Sequence, residues 1–194
     1  PETYAISKAD LLIKGGDTNA NKVFYGSTLS YDQTSGEHFD FMLSNPPYGK
    51  NWKTDLTILG GGTDDKAKKR VMDSRFVKSY KEQEDFRMLP DVSDGQLLFL
   101  LNNIAKMKET ALGSRILEVH NGSALFTGDA GSGASNARRY MIEEDLIEAI
   151  IQLPENIFYN TPITTHIWIL NNRKEEKRKG KIQLIDASSI KTSL

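Results

Sequence analysis

A near-continuous apolar run that ends in a rigid turn places the tightest constraint on how this chain can fold. Residues 39–45 read FDFMLSN, and the sequence PPY follows directly. A short apolar run of this kind is typical of a strand that is buried on both faces, as in a parallel sheet. Because proline lacks a backbone N–H and fixes φ, the two prolines end the strand and restrict the residues around them.

Strand and helix patterns alternate along the rest of the chain. Helices are predicted over residues 2–14, 94–110 and 136–145, with Ser93 or Asp94 and Ser135 or Asn136 as caps. Strands are predicted over residues 23–28, 39–45, 115–120, 146–153, 166–171 and 181–186. This alternation indicates an α/β sandwich with a mostly parallel sheet, whose site lies at the carboxyl ends of the strands.

The remaining segments are polar. Residues 49–92 are polar and glycine-rich, and we expect one long loop there within a single catalytic domain, residues 1–194. Residues 128–133 (GDAGSG) precede a helix but lack the Lys-Ser/Thr ending of a phosphate loop, so a flexible loop near a ligand is favoured over a nucleotide site. The charged residues 173–179 are predicted to form a solvated loop.

Composition excludes several classes of protein. The chain contains no cysteine, which rules out disulfides and thiolate metal sites and fits the cytoplasm. No apolar run approaches the roughly 20 residues that span a bilayer, so no membrane partner is expected. The net charge is -1, whereas phosphate contacts usually give a DNA-binding protein a basic surplus. If the chain acts on DNA, we expect another segment or polypeptide to supply much of the affinity.

The turn of Asn45, Pro46, Pro47 and Tyr48 offers the groups that methylation of an exocyclic amine requires. The nitrogen of such an amine shares its lone pair with the ring, so both N–H groups need fixed acceptors while the nitrogen pyramidalises. The Asn45 side-chain oxygen and the Pro46 carbonyl are two acceptors on one turn, and Tyr48 offers a face for stacking. A base in duplex DNA must be flipped out to reach them. No metal is needed, and the three histidines show no ligand spacing.

These residues resemble motif IV (NPPY) of amino-methyltransferases that use S-adenosylmethionine. The segments ETYAISKADLLIKG, FYGSTLSYD, SDGQLLFL, FTGDAGSGASNARRYMIEEDLIEAIIQLP and LPENIFYNTPITTHIWILN resemble, in order, the modification subunits of type I restriction-modification systems. The resemblance implies a Rossmann-like methyltransferase fold, a three-layer sandwich. It also implies adenine-N6 methylation of DNA with S-adenosyl-L-methionine as cofactor.

The resemblance also assigns individual residues. The first two strands, the glycine-rich cofactor loop and the ribose-binding acid are expected before Pro1, so the isolated fragment is expected to be inactive. Ser27 lies where the family's cofactor-adenine motif commonly has Asp or Asn, and Asp32 nearby is taken as a turn residue. Phe158, with Tyr159 in reserve, matches the aromatic that stacks on the flipped base; ordinary core packing of Phe158 stays open. Trp52 and Lys53 are candidates for contacts with the base or the DNA backbone. For Trp52, packing within the protein is the alternative.

The resemblance implies a set of partners as well. They are DNA, a specificity subunit that recognises the site, a second copy of the modification subunit and, in some complexes, a restriction subunit. Two alternatives remain open: an NPPY methyltransferase that acts on RNA or on protein glutamine, or a non-catalytic assembly fragment.

Overall fold

The computed structural model describes residues 2–15, 17–158 and 162–190 and divides the chain into two compact units, Pro1–Ser35 and Gly36–Leu194. The first unit contains helices α1 (Glu2–Ile13) and α2 (Asp17–Ala20). The predicted first helix is therefore confirmed. The rings of Tyr4 and Tyr25 meet edge to face in this unit, with their centroids 5.6 Å apart.

The strand predicted at residues 23–28 is wrong. Gly26 has a φ of 147°, and the amide of Tyr31 donates a 2.9 Å hydrogen bond to the carbonyl of Ser27. A glycine in this conformation followed by a closed turn bends the chain, which an extended strand cannot accommodate.

The second unit is built on a five-stranded sheet. Its strands, in their order across the sheet, are β1 (Phe41–Ser44), β4 (Arg115–Asn121), β6 (Thr165–Asn171), β5 (Ile147–Gln152) and β7 (Gln183–Asp186). Only β6 is antiparallel to its neighbours, so four of the five strands run in one direction and the sheet is mostly parallel, as predicted. The carboxyl ends of β1, β4, β5 and β7 therefore share one edge.

Helices cover the side of the sheet that carries Ile116, Glu118 and His120 of β4, all of which are buried. The main helix on this side is α5 (Gln96–Ile104), whose leucines are buried, and α7 (Gly133–Glu143) packs beside it. The other side carries apolar residues of the same sheet, including Leu43, which is 79% exposed.

Helix α5 is shorter than the predicted 94–110. The amide of Phe39 donates to the carbonyl of Lys106 (3.0 Å), and Phe39 forms a parallel bridge with Met107. The helix therefore ends at Ile104, and the residues after it pair with the segment before β1. This is a tertiary contact that local periodicity does not reveal.

The expectation of a long loop over residues 49–92 has to be corrected. This stretch contains α3 (Lys53–Gly60), α4 (Asp65–Arg70) and an antiparallel hairpin of β2 (Val77–Tyr80) and β3 (Gln83–Arg87). The Asp64 carboxylate caps α4 by accepting from the Ala67 amide (2.8 Å). The elements are short and polar, so their composition resembles that of a loop although they pack as regular structure.

Two further segments differ in part from expectation. Helix α6 (Ser123–Phe126) lies between β4 and the glycine-rich residues 128–133, and Ser132, rather than Ser135 or Asn136, caps α7. The charged residues 173–179 include a 3-10 helix, Glu176–Arg178, and are mostly exposed. Lys174 is the exception, because it is buried and its Nζ lies 2.6 Å from Asp145 Oδ1.

None of the helices formed by residues 2–15, 17–158 and 162–190 combines the length and apolar character needed to cross a membrane.

The start of α7 depends on one glycine. A Cβ on Gly133 would lie 1.7 Å from the carbonyl oxygen of Leu89, which follows β3. We predict that Gly133→Ala lowers the free energy of unfolding by about 3 kcal/mol, the upper end of the usual cost of overpacking, as measured by chemical denaturation.

Gly122→Ala is the matched control, since a Cβ there would meet only His166, at 3.7 Å. It should change the free energy of unfolding by less than about 1 kcal/mol. Equal stability of the two variants would contradict the close approach of α7 to the hairpin.

Candidate active site

The NPPY turn leaves the sheet at the carboxyl end of β1. The last residue of this strand, Ser44, pairs in parallel with Glu118 of β4. Asn45 and Pro47 are exposed, Pro46 is buried and Tyr48 is half-buried. The buried Pro46 anchors the turn while the Asn45 side chain faces solvent, as a group that binds an incoming ligand must.

The side chains of Asn45 and Tyr48 are joined by a hydrogen bond that the sequence did not indicate. The Tyr48 hydroxyl donates to Asn45 Oδ1 at 2.7 Å. Burial raises the pKa of Tyr48, so the phenol keeps its proton at neutral pH and the bond persists. Because a carboxamide oxygen has two lone pairs, Asn45 can accept a second hydrogen bond while Tyr48 fixes its orientation.

The segment after Tyr48 lies against the loop that precedes α5. The Gly49 amide donates to Asp94 Oδ1 (3.1 Å), and the Gly95 amide donates to the carbonyl of Lys50 (3.0 Å). The Trp52 amide adds a third bond to the carbonyl of Val92 (3.1 Å). The two loops, 45 residues apart in sequence, are thus fixed to each other at the edge of the sheet.

Trp52 is a packing residue in this structure. Its side chain is 2% exposed and contacts Gly95, where an added Cβ would come within 3.2 Å of the Trp52 side chain. The indole Nε1 donates to the carbonyl of Asp91 at 3.0 Å. Of the two readings of Trp52, packing is the one confirmed, whereas Lys53 is exposed at the start of α3.

A polar network lies behind this loop pair and was missed from the sequence; its Gln96 and His120 members are buried and the others are half-buried. It joins Asp94, Gln96, Asn121 and Ser123, and it continues to His120 on β4. The one available signal was a pattern: in β4, Glu118 and His120 occupy alternate positions with Ile116, which places two ionisable side chains on the buried face.

Two of the three histidines are neighbours in the sheet, which the sequence did not show. His120 and His166 are register partners across β4 and β6, and burial lowers the pKa of His166. Within the described ranges, no three His, Cys, Asp or Glu side chains cluster closely enough to bind a metal ion.

Phe158 lies in the connection from β5 to β6 and is half-buried. This connection leaves the carboxyl end of β5, so it is at the same edge of the sheet as Asn45. Strand β4 separates β6 from β1, which corresponds to about 10 Å between those two strands. Tyr159, the reserve for the stacking role, lies outside the described residues.

Ser27 belongs to the first unit. Its Oγ accepts a hydrogen bond from the Leu29 amide (3.2 Å), and with Tyr4, Phe24 and Tyr25 it lines an open cleft of about 580 Å³. Asp32 is a turn residue, as expected, because its Oδ1 accepts from both the amide and the hydroxyl of Thr34 (both 3.0 Å).

Comparison with known proteins assigns the chain to a family. Residues 1–193 match the model of the family described as N-6 DNA Methylase, and the chain therefore belongs to that family. It is 45% identical over 195 residues to a type I restriction enzyme MjaVIII methylase subunit of Methanocaldococcus jannaschii, covering 96% of this chain and 29% of the relative. The MjaVII methylase subunit of the same organism is 30% identical over 188 residues, covering 94% and 28%.

Solved structures agree with this assignment. The methyltransferase subunit of a type I restriction-modification system from Streptococcus thermophilus superposes with a TM-score of 0.59 at 27% identity, covering 84% of this chain and 30% of that one. A modification subunit from Vibrio vulnificus, at 13% identity and a TM-score of 0.54, shares the fold. The Rossmann-like methyltransferase fold is thus confirmed, in a chain that spans about three tenths of the length of these relatives.

The packing role of Trp52 leads to a prediction about stability. Trp52→Ala should lower the free energy of unfolding by about 3–5 kcal/mol, the usual cost of removing a buried tryptophan, as measured by denaturant titration. The matched control is Ile58→Ala on α3, where the side chain is 64% exposed, and its effect should stay within about 0.5 kcal/mol. A Trp52→Ala protein with unchanged stability would show that the indole is not part of the core.

Proposed function

We propose that this chain is the catalytic part of a type I modification subunit that transfers a methyl group to the N6 nitrogen of adenine in DNA. The observation that carries the proposal is the NPPY turn, with an exposed Asn45 oriented by Tyr48 at the carboxyl edge of the sheet. Membership of the N-6 DNA methylase family supports the same conclusion.

The chemistry follows from the acceptors on this turn. Asn45 Oδ1 and the Pro46 carbonyl accept hydrogen bonds from the two N6–H groups of adenine and draw electron density toward the nitrogen. A bound methyl donor would supply an electrophilic methyl group, which the nitrogen lone pair held by these acceptors would attack, and one N6 proton would pass to solvent. Acceptors that are already fixed need no reorganisation during the reaction, which is the largest electrostatic advantage of such a site.

The methyl donor we propose is S-adenosyl-L-methionine, which supplies an electrophilic methyl group when bound. The cleft of the first unit fits the adenine part of this molecule, because Tyr4, Phe24 and Tyr25 give it aromatic walls and Ser27 adds a polar edge. Tyr25 is 57% exposed, so its ring has a face available for stacking. We assign Ser27 to this cleft as a cofactor-binding residue.

Phe158 and Tyr48 are proposed to stack on the flipped adenine. Both belong to segments that leave the same edge of the sheet, and both are half-buried, so that part of each ring stays accessible. A flipped base leaves the stack of the duplex and needs such replacement contacts, which are worth about 1–3 kcal/mol per base.

The proposed partners follow from charge and from the relatives. A chain with 25 basic and 26 acidic residues has little net attraction for phosphate. The relatives are named as methylase subunits of type I restriction enzymes. We therefore propose that this chain acts on DNA in the cytoplasm with a specificity subunit, a second modification subunit and, where present, a restriction subunit.

The central prediction concerns Asn45. In the full-length subunit with its specificity partner, Asn45→Ala should lower the rate of methyl transfer by several hundredfold, because it removes an oriented acceptor worth about 3–4 kcal/mol in the transition state. The measurement is transfer of tritiated methyl to unmethylated DNA.

The control is Asn51→Ala, an exposed asparagine six positions further on, which should transfer methyl at the wild-type rate. If Asn45→Ala stays within a few-fold of wild type, the acceptor role of Asn45 is wrong.

The stacking assignment is tested by graded substitutions. Phe158→Tyr should keep most activity, because it retains the ring. Tyr48→Phe also retains the ring but loses the hydrogen bond to Asn45, so its activity should fall by about three- to tenfold. Phe158→Ala should lose more, and a mismatch opposite the target adenine should restore part of it, because flipping then costs less.

The competing reading of Phe158 makes a different prediction. If Phe158→Ala methylates normally but melts at a lower temperature, Phe158 is a core residue and not a stacking residue.

A further inference from the structure

The carboxylate of Asp94 joins the NPPY segment to the start of α5. Its Oδ1 accepts from the Gly49 amide (3.1 Å), directly after Tyr48, and from the Gln96 amide (3.2 Å). Its Oδ2 accepts from Gln96 Nε2 (2.6 Å) and lies 3.3 Å from the Ser123 hydroxyl, whose shorter contact is with Asn121 Oδ1. Both oxygens are therefore used, and each is shared between two elements of the fold.

The Gln96 side chain is 2% exposed and has a single possible orientation. Its Nε2 faces three oxygens: Asp94 Oδ2, Asn121 Oδ1 (2.8 Å) and Ser123 Oγ (3.0 Å). Its Oε1 accepts from the Asn121 amide at 3.3 Å. Because the Asp94 carboxylate can only accept and the Asn121 amide can only donate, turning the Gln96 carboxamide over would break both of these bonds.

The same oxygen of Gln96 fixes His120. The His120 Nδ1 lies 3.1 Å from Gln96 Oε1, and because a carboxamide oxygen can only accept, Nδ1 donates in this contact. On its other side, Nε2 lies 3.1 Å from Glu118 Oε1 in an electrostatic contact whose geometry is not that of a hydrogen bond. Asn103 Nδ2 of α5 donates to Glu118 Oε2 at 2.7 Å.

These contacts form one connected path, here called the Asp94 network: Asp94, Gln96, Asn121, Ser123, His120 and Glu118. It begins at the amide after the NPPY turn and ends inside the sheet, where Glu118 and His120 are both fully buried. Glu118 is also the register partner of Ser44, the last residue before Asn45. The network therefore contacts both sides of the NPPY turn: Asp94 bonds to the Gly49 amide after the turn, and Glu118 pairs in register with Ser44 before it.

We propose that Asp94 and Gln96 are positioning residues for methyl transfer, which set the NPPY turn at the distance from β4 at which Asn45 and the Pro46 carbonyl meet the amine. This inference rests on the proposed function. A buried polar network is a costly way to stabilise a core, because apolar residues of the same volume serve as well or better. What the network adds is geometric precision, and helix capping alone would need only the Gln96 amide, not the bond to Gly49.

The test uses the full-length modification subunit with its specificity subunit, unmethylated genomic DNA and tritiated S-adenosylmethionine. With enzyme in excess, the single-turnover rate constant reports positioning; with DNA in excess, the amplitude of the first turnover reports the fraction of folded, competent enzyme. Asp94→Ala and Gln96→Leu should lower the rate constant by between about tenfold and a hundredfold, as displacements of about 1 Å do, at unchanged amplitude.

A milder variant keeps the test decisive if these proteins fold poorly. Asp94→Asn keeps the shape of the side chain but replaces one oxygen with an NH₂ group. This donor must then face another donor, either the Gly49 amide or Gln96 Nε2. The rate constant should then fall by an intermediate factor, with an unchanged melting temperature.

The matched control is Asp91→Ala. This carboxylate lies in the same loop and accepts from the amide and hydroxyl of Ser93 (2.9 and 2.7 Å), but it does not reach Gly49. It should leave the rate constant unchanged. Wild-type rate constants for the Asp94 and Gln96 variants, or losses of amplitude alone, would overturn the positioning role. Failure of the wild-type enzyme to methylate adenine would instead overturn the proposed function.

Discussion

The parallel pairing of β1 with β4 is the interaction on which the site depends. It aligns Ser44 with Glu118, so that the NPPY turn and the end of β4 leave the sheet at the same edge. Helix α5 then begins beside both of them, since Gln96 bonds to Asn121 and Asp94 bonds to Gly49. A shift of this register by one residue would turn Glu118 out of the buried face and separate the two loops.

Local contacts make the NPPY turn rigid, whereas tertiary contacts determine its position relative to the sheet. The two prolines restrict the backbone, and the Tyr48 hydroxyl orients the Asn45 carboxamide. Neither feature determines where the turn lies relative to the sheet. That placement comes from Gly49, Lys50 and Trp52, whose bonds all reach the loop between the hairpin and α5. Under the proposed function, local rigidity and tertiary placement together fix the two acceptors before the base binds.

The sequence was informative where local patterns and burial agree. The apolar runs at 115–120, 146–153 and 166–171 became β4, β5 and β6 with shifts of one residue or so, because each is long and buried. Residues 23–28 have the same apolar character, yet Gly26 and the turn at Ser27 override it. Ser93 or Asp94 was expected to cap the helix, but Gly95 is the N-cap, and the Asp94 carboxylate also accepts a hydrogen bond from the Gly49 amide, 45 residues away.

In the candidate site too, residues with a local sequence pattern were predicted and residues that meet only through tertiary contacts were not. Asn45, Pro46, Pro47 and Tyr48 were identifiable because their chemistry is contained in four consecutive residues. Gln96 and His120 were not, since they lie 24 residues apart and each sits in an apolar segment where a polar residue carries no local signature. These two residues come into contact only when α5 packs on β4. Long-range contacts of this kind are the ones that a single sequence reveals least.

The most direct test of the account identifies the methylated product. The full-length subunit and its specificity partner should be incubated with tritiated S-adenosylmethionine and a mixture of DNA, RNA and cellular protein, and the digested products separated by chromatography. If the chain is part of an adenine-N6 DNA methylase, the label will co-elute with N6-methyldeoxyadenosine. Label found instead in RNA nucleosides or in methylglutamine would contradict it.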